Sequence, residues 1–135
     1  MAYQDDPTIG NEVRLFRRIH PQWIVRDENL KCFRPSSQAF NDSQDGSPMS
    51  VNREDILQQE NKPPAELLAG LYEWGLAALR TGTMRENGQG IAADPTPDEP
   101  SHALVFGPKP TKARKRIAKT AEWVIQPERS GSEAI

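Results

Sequence analysis

The chain has 135 residues and a formal charge of −2 from 17 basic and 19 acidic side chains, a length that suits one modest core and starves two. A hydrophobic share of 36%, 12 prolines and a mean hydropathy of −0.74 put it at the polar end of globular proteins. No apolar run approaches the ~20 residues of a spanning helix, which argues against a membrane partner.

Residues 1–11 are polar and turn-prone and read as an N-terminal tail. From Val13 to Ile19 apolar and basic residues alternate, with Val13, Leu15 and Ile19 on one face and Arg14, Phe16 and Arg18 on the other, which predicts a strand. A competing reading takes Asn11 as N-cap of a two-turn helix stopped by Pro21. Trp23 to Val25 continues the sheet after the His20-Pro21 corner, and a third short strand falls between Cys32 and Phe40. Cys32 is the single cysteine, so no internal disulfide forms. With no secretory leader at the start, the expected compartment is a reducing cytoplasm.

Asn41 to Pro48 is a loop by composition. Asn52 then has the form of a helix N-cap, with Glu54 to Glu60 as one or two turns ended by Pro63 and Pro64. Ala65 to Arg80 is expected as the central helix. At 100° per residue Glu66, Glu73 and Arg80 form a narrow polar strip, while Leu67, Leu68, Leu71, Tyr72, Trp74, Leu76, Ala78 and Leu79 cover the rest. Such a helix must be covered from several sides, and Leu71→Asp should unfold the domain. Thr81 to Gly90 contains three glycines and ends that helix, and Ile91 to Ala93 can pair with His102 to Phe106 as a hairpin across a long loop.

Thr111 caps a C-terminal basic amphipathic helix from Lys112 to Ile125, with Ala113, Ile117, Ala121 and Val124 as its apolar stripe. Residues 126–135 are a second tail, which leaves a single α+β domain over 12–125. Its architecture is a small mixed β-sheet packed on the central apolar helix, with the basic helix against an edge or face.

Charge is the clearest functional signal. Six basic residues (Lys109, Lys112, Arg114, Lys115, Arg116, Lys119) occupy a stretch free of acid between Glu99 and Glu122, so the remainder carries 11 basic against 19 acidic residues, a formal −8. Lys112, Lys115, Arg116 and Lys119 gather on one arc with Trp123, an arrangement that suits phosphates and stacked bases or an acidic protein surface. The whole-chain pI of 5.7 lacks the basic footprint usual in nucleic-acid binders. The reading is a non-enzymatic binding or accessory protein with a protein or nucleic-acid partner.

The enzyme alternative uses Arg14, His20, Arg34 and Ser37. An arginine on a first strand followed by a serine-bearing strand resembles the start of ADP-ribosyltransferase-like folds. That resemblance implies that an arginine holds NAD phosphates and serines frame the nicotinamide pocket. The chain departs from the pattern in reading Ser36-Ser37-Gln38 and in lacking a later Glu-x-Glu, for which Glu122 is the nearest substitute. No phosphate-cradling glycine motif, metal-ligand spacing around His20, His102 and Cys32, or strained nucleophile turn is present, so no cofactor and no metal is expected.

Leu15-Phe-Arg-Arg-Ile-His-Pro21, Arg34-Pro-Ser-Ser-Gln-Ala-Phe40, Met49-Ser-Val51 and His102-Ala-Leu-Val with Gly107 are similar to a group of short uncharacterised bacterial proteins. The likeness implies a bacterial cytoplasmic origin and brings no activity with it.

Overall fold

The computed structural model of the chain describes residues 3–127. Strands β1 (Arg14–Ile19), β4 (Met49–Arg53), β5 (Gly75–Arg80), β6 (Gly90–Ala93), β7 (His102–Phe106) and β8 (Glu122–Ile125) form one six-stranded sheet in the order β6-β7-β4-β1-β5-β8. Every pairing in it is antiparallel. Strands β2 (Ile24–Asp27) and β3 (Cys32–Pro35) do not extend this sheet but make a hairpin of their own. The helices are short: α1 (Glu54–Gln59), α2 (Thr81–Glu86) and α3 (Thr111–Thr120). The protein is therefore α+β, and among the described residues no helix is long and apolar enough to cross a membrane.

The alternation of β1 sorts its side chains as expected, but both sheet faces are covered. Leu15 and Ile19 join Met49, Val51, Ala77, Leu79, Ala103 and Val105 in the larger core, closed by Phe40, Met84 of α2 and Ile117 of α3. Phe16 faces the other way and packs with Leu76, Ala78, Leu57 of α1 and Leu67.

The stretch read as a central helix, Ala65 to Arg80, is instead a 3-10 turn at Pro64–Leu68 followed by β5. Gly70 and Glu73 take left-handed backbone angles, φ +77° and +66°, which end any α-helix there. Strand β5 lies between β1 and β8 with Ala77 and Leu79 in one core and Leu76 and Ala78 in the other. A strand buried on both faces has no polar side to reveal its two-residue period, so its short apolar run imitates a buried helix. Tyr72, expected under cover, is 87% exposed.

Three further boundaries differ from expectation. Asn52 is not an N-cap; it is a buried residue of β4 whose Nδ2 donates to Ser101 Oγ at 2.9 Å, and Arg53 precedes the helix. Thr81 to Glu86, expected to end the central helix, is α2. The C-terminal helix ends at Thr120 and its N-cap is Pro110 rather than Thr111. Ala121 turns the backbone extended, and the strand-forming Trp123, Val124 and Ile125 add an edge strand to β5.

The N-terminal segment read as a tail is docked. Ile9 is fully buried, the Asp6 N–H donates to the Ile91 carbonyl, and Asp5 accepts from the Ile91 N–H and from Arg85. Most of the expected C-terminal tail, 128–135, lies outside the described residues.

Candidate functional site

Two concave regions bring chemistry-bearing side chains together. The first lies between α3 and the β2–β3 hairpin. Helix α3 buries Ala113 and Ile117 and leaves Lys112, Lys115, Arg116 and Lys119 exposed. Among the described residues, none of these four cations has an ion pair. The other two basic residues of the arm are used internally. Arg114 donates to the Lys109 carbonyl and to Thr111 Oγ1. Lys109 has a side chain only 2% exposed and lies 2.6 Å from Asp42 Oδ1, while its ammonium donates to the Val105 and Gly107 carbonyls. Burial lowers its pKa from the usual lysine value, and Asp42 opposes that shift.

Trp123 is not on the helical arc. It sits on β8, its indole N–H donates to the Phe33 carbonyl at 3.0 Å, and its ring is half-buried against the larger core. One side of the ring lines a groove of about 760 Å³ together with Leu30, Phe33, Ala118, Arg34, Lys115, Lys119, Ser36 and Ser37. Leu30, at the hairpin tip, is 70% exposed. Arg34 is tied to Asp27 at 3.1 Å. The N–H groups of Leu30 and Asn29, with Arg34, hold the Asp27 carboxyl below the ordinary aspartate value. The groove thus has an apolar wall from the hairpin and β8, and a cationic rim from α3.

The four residues of the enzyme alternative are not brought together. Arg14 makes two hydrogen bonds to Glu54, at 2.9 and 2.7 Å, and that partner raises its pKa. His20 accepts from the Gln22 N–H through Nδ1 and packs edge-on against Trp23 and Trp74. Arg34 and Ser37 share the groove, and the neighbouring Ser36 caps a 3-10 turn by accepting from the Gln38 N–H. Among the described residues no group of three or more His, Cys, Asp and Glu could hold a metal ion.

The second region is a cleft of about 730 Å³ lined by Phe16, Arg18, Ser50 and Asn52, with Trp23, Trp74 and the loop 41–45 around it. Arg17 also lines it, donating to the Ala39 and Ser50 carbonyls with its guanidinium 5.7 Å from the centre of the Trp23 ring. Burial is the main cause of a pKa lowered to about 10, so Arg17 stays charged at neutral pH. Sequence reasoning missed Ser50 and Asn52 as site residues. Their signal was the polar positions of Met49-Ser-Val-Asn, a strand pattern hidden by the capping appearance of Asn52.

Comparison with family models, with curated proteins and with solved structures gives no match for this chain. Fold and surface together define an α+β protein with a two-faced antiparallel sheet, carrying a cationic groove and a separate polar, aromatic-walled cleft.

Proposed function

We propose that the protein is a binding subunit that docks an acidic, partly apolar segment of a partner protein in the groove between α3 and the β2–β3 hairpin. The observation that carries this reading is the set of four exposed cations on α3 without a carboxylate partner among the described residues. Beside them lie Leu30, Phe33 and Trp123, which offer apolar area to the same segment. Such a partner would place carboxylates on Lys115 and Lys119 and an apolar side chain over the Trp123 ring, combining charge complementarity with a desolvated aromatic anchor.

A protein segment fits better than a nucleic acid because of what surrounds the groove. Outside the arm the chain has a formal charge of −8, so a long polyanion crossing α3 would run onto an acidic body that repels it. A short acidic segment avoids that repulsion.

The test is fluorescence anisotropy with a labelled peptide alternating Glu or Asp with Leu, and with a single-stranded oligonucleotide in parallel. Lys112→Glu, Lys115→Glu, Arg116→Glu and Lys119→Glu combined should abolish peptide binding, and wild-type affinity should fall as salt rises. Peptide affinity unchanged by the four substitutions refutes the proposal. Tighter binding of the oligonucleotide than of the peptide refutes the choice of partner.

A further inference from the structure

The cleft beside β4 holds a constellation that the groove does not use. Strands β4 and β7 are neighbours, with Asn52 opposite His102 and Ser50 opposite Leu104. Residues two apart on a strand share a face, so Ser50, Asn52 and His102 project to the side that carries Phe16, which is itself opposite Asn52 on β1. On this face His102 Nε2 lies 3.2 Å from Ser50 Oγ. The other ring nitrogen, Nδ1, is 2.9 Å from Asp94 Oδ2 and 3.1 Å from the Asp94 carbonyl oxygen.

These contacts fix the state of the ring. Both oxygens facing Nδ1 are acceptors, so Nδ1 carries the proton, and the Nε2 lone pair is left to accept from the Ser50 hydroxyl. The histidine is well held: its side chain is 17% exposed, and the Asp94 N–H donates to the His102 carbonyl at 2.9 Å, closing the loop between β6 and β7. A serine bonded to the free nitrogen of an imidazole, itself oriented by a carboxylate, is the arrangement that turns a weak alcohol nucleophile into a strong one. Ser50 also lines the 730 Å³ cleft, whereas a purely structural hydroxyl has no need of such access.

We infer that Ser50, His102 and Asp94 act as nucleophile, general base and orienting carboxylate toward a carboxylic ester whose planar group rests against Trp23 and Trp74. Ser50 Oγ bonds to the ester carbonyl carbon as its proton passes to His102 Nε2, and the carbonyl π pair moves onto oxygen. As that pair returns, the bond to the alkoxy group breaks and Nε2 gives the proton to the departing alcohol. Water, deprotonated by the same nitrogen, then adds to the acyl-serine; His102 returns the proton to Ser50 Oγ as the acid leaves. The sum is ester plus water giving acid plus alcohol, with no further reactant.

Arg18 is positioned to assist. It lies on the strand next to Ser50 and lines the same cleft. Its Nε and Nη2 donate to the Leu67 carbonyl and to Glu99, and Nη1 has no partner among the described residues. A charged donor beside the acyl carbon stabilises the oxyanion as it forms.

The experiment uses the full chain with an alkyl fluorophosphonate, which phosphonylates activated serines, and with p-nitrophenyl butyrate as substrate. Peptide mapping by mass spectrometry should place the adduct on Ser50, and Ser50→Ala should reduce esterase activity to background. His102→Gln should slow labelling by about 10²-fold or more, the contribution of a positioned general base. Asp94→Asn should slow it less, because the Asp94 carbonyl still faces Nδ1. Melting curves of each variant separate lost chemistry from lost folding. Absence of a Ser50 adduct on the wild type overturns the inference, as does an undiminished labelling rate in a folded His102→Gln protein. Neither outcome bears on peptide binding at the groove, which shares no lining residue with this cleft.

Discussion

Gly75→Ala probes the contact on which the shape of the groove depends. Gly75 opens β5 beneath the Trp123 ring, and a Cβ added there would lie 2.5 Å from Cζ3 and 3.0 Å from Cη2 of that ring, with Pro127 Cδ at 3.2 Å. Carbon atoms in good contact sit about 3.5–4.0 Å apart, so the ring must move by about 1 Å. It is not free to do so, because the indole N–H is bound to the Phe33 carbonyl at 3.0 Å. Overpacking of this kind costs about 1–3 kcal/mol, and losing the indole hydrogen bond adds about 0.5–1.5 kcal/mol. The reduced freedom of the unfolded chain offsets about 0.4–1 kcal/mol. The net expectation is a loss of about 1–3 kcal/mol and a Tm lower by roughly 5–10 °C. Thermal and urea unfolding followed by circular dichroism measure it. In a Trp123→Leu background the same substitution should be milder, with a coupling energy of about 1 kcal/mol. A Gly75→Ala protein as stable as wild type, or one with no coupling to Trp123, refutes the argument that the ring is pinned. Because the displaced ring would move into the groove, acidic-peptide affinity should fall in the same variant.

Leu76→Ala, at a fully buried position of β5, should cost about 2–5 kcal/mol, whereas Leu71→Ala, at a half-buried position in the preceding turn, should cost well under half as much; equal losses in urea unfolding would restore the helical reading of 65–80. Lys109→Met should cost about 1–3 kcal/mol by leaving the Val105 and Gly107 carbonyls without their donor. The same change at exposed Lys112 should stay within about 0.5 kcal/mol, and a reversed order in thermal melts would contradict the internal role of Lys109.

Much of the fold was legible because it rests on local rules. The alternation of Val13 to Ile19 marks β1, the run from Asn41 to Pro48 is turn chemistry, and the Ile91 and His102 segments are both strand-forming runs, which pair although the connection between them, 94–101, is long for a hairpin. The charge count located the basic arm that carries α3. Its last turn was misread because Ala121 and Val124 extend a helical spacing that nothing nearby contradicts.

What the sequence by itself determined, then, is the α+β class and the polarity of the C-terminal arm; its side-chain period favoured a strand at Val13 to Ile19 without excluding a short helix, and it allowed the β6–β7 pairing. Tertiary structure alone decided that Leu76 to Leu79 is a strand, since only neighbours on both faces and both edges make an all-apolar strand stable. It also decided which cations of the arm lack a carboxylate partner among the described residues, because Lys109 is drawn inside by two carbonyls and Asp42. Ser50 and His102 are 52 residues apart in sequence, and only the register of β4 against β7 brings the hydroxyl to the ring. Side-chain period is a property of a segment, whereas burial and reach are properties of the segments packed against it.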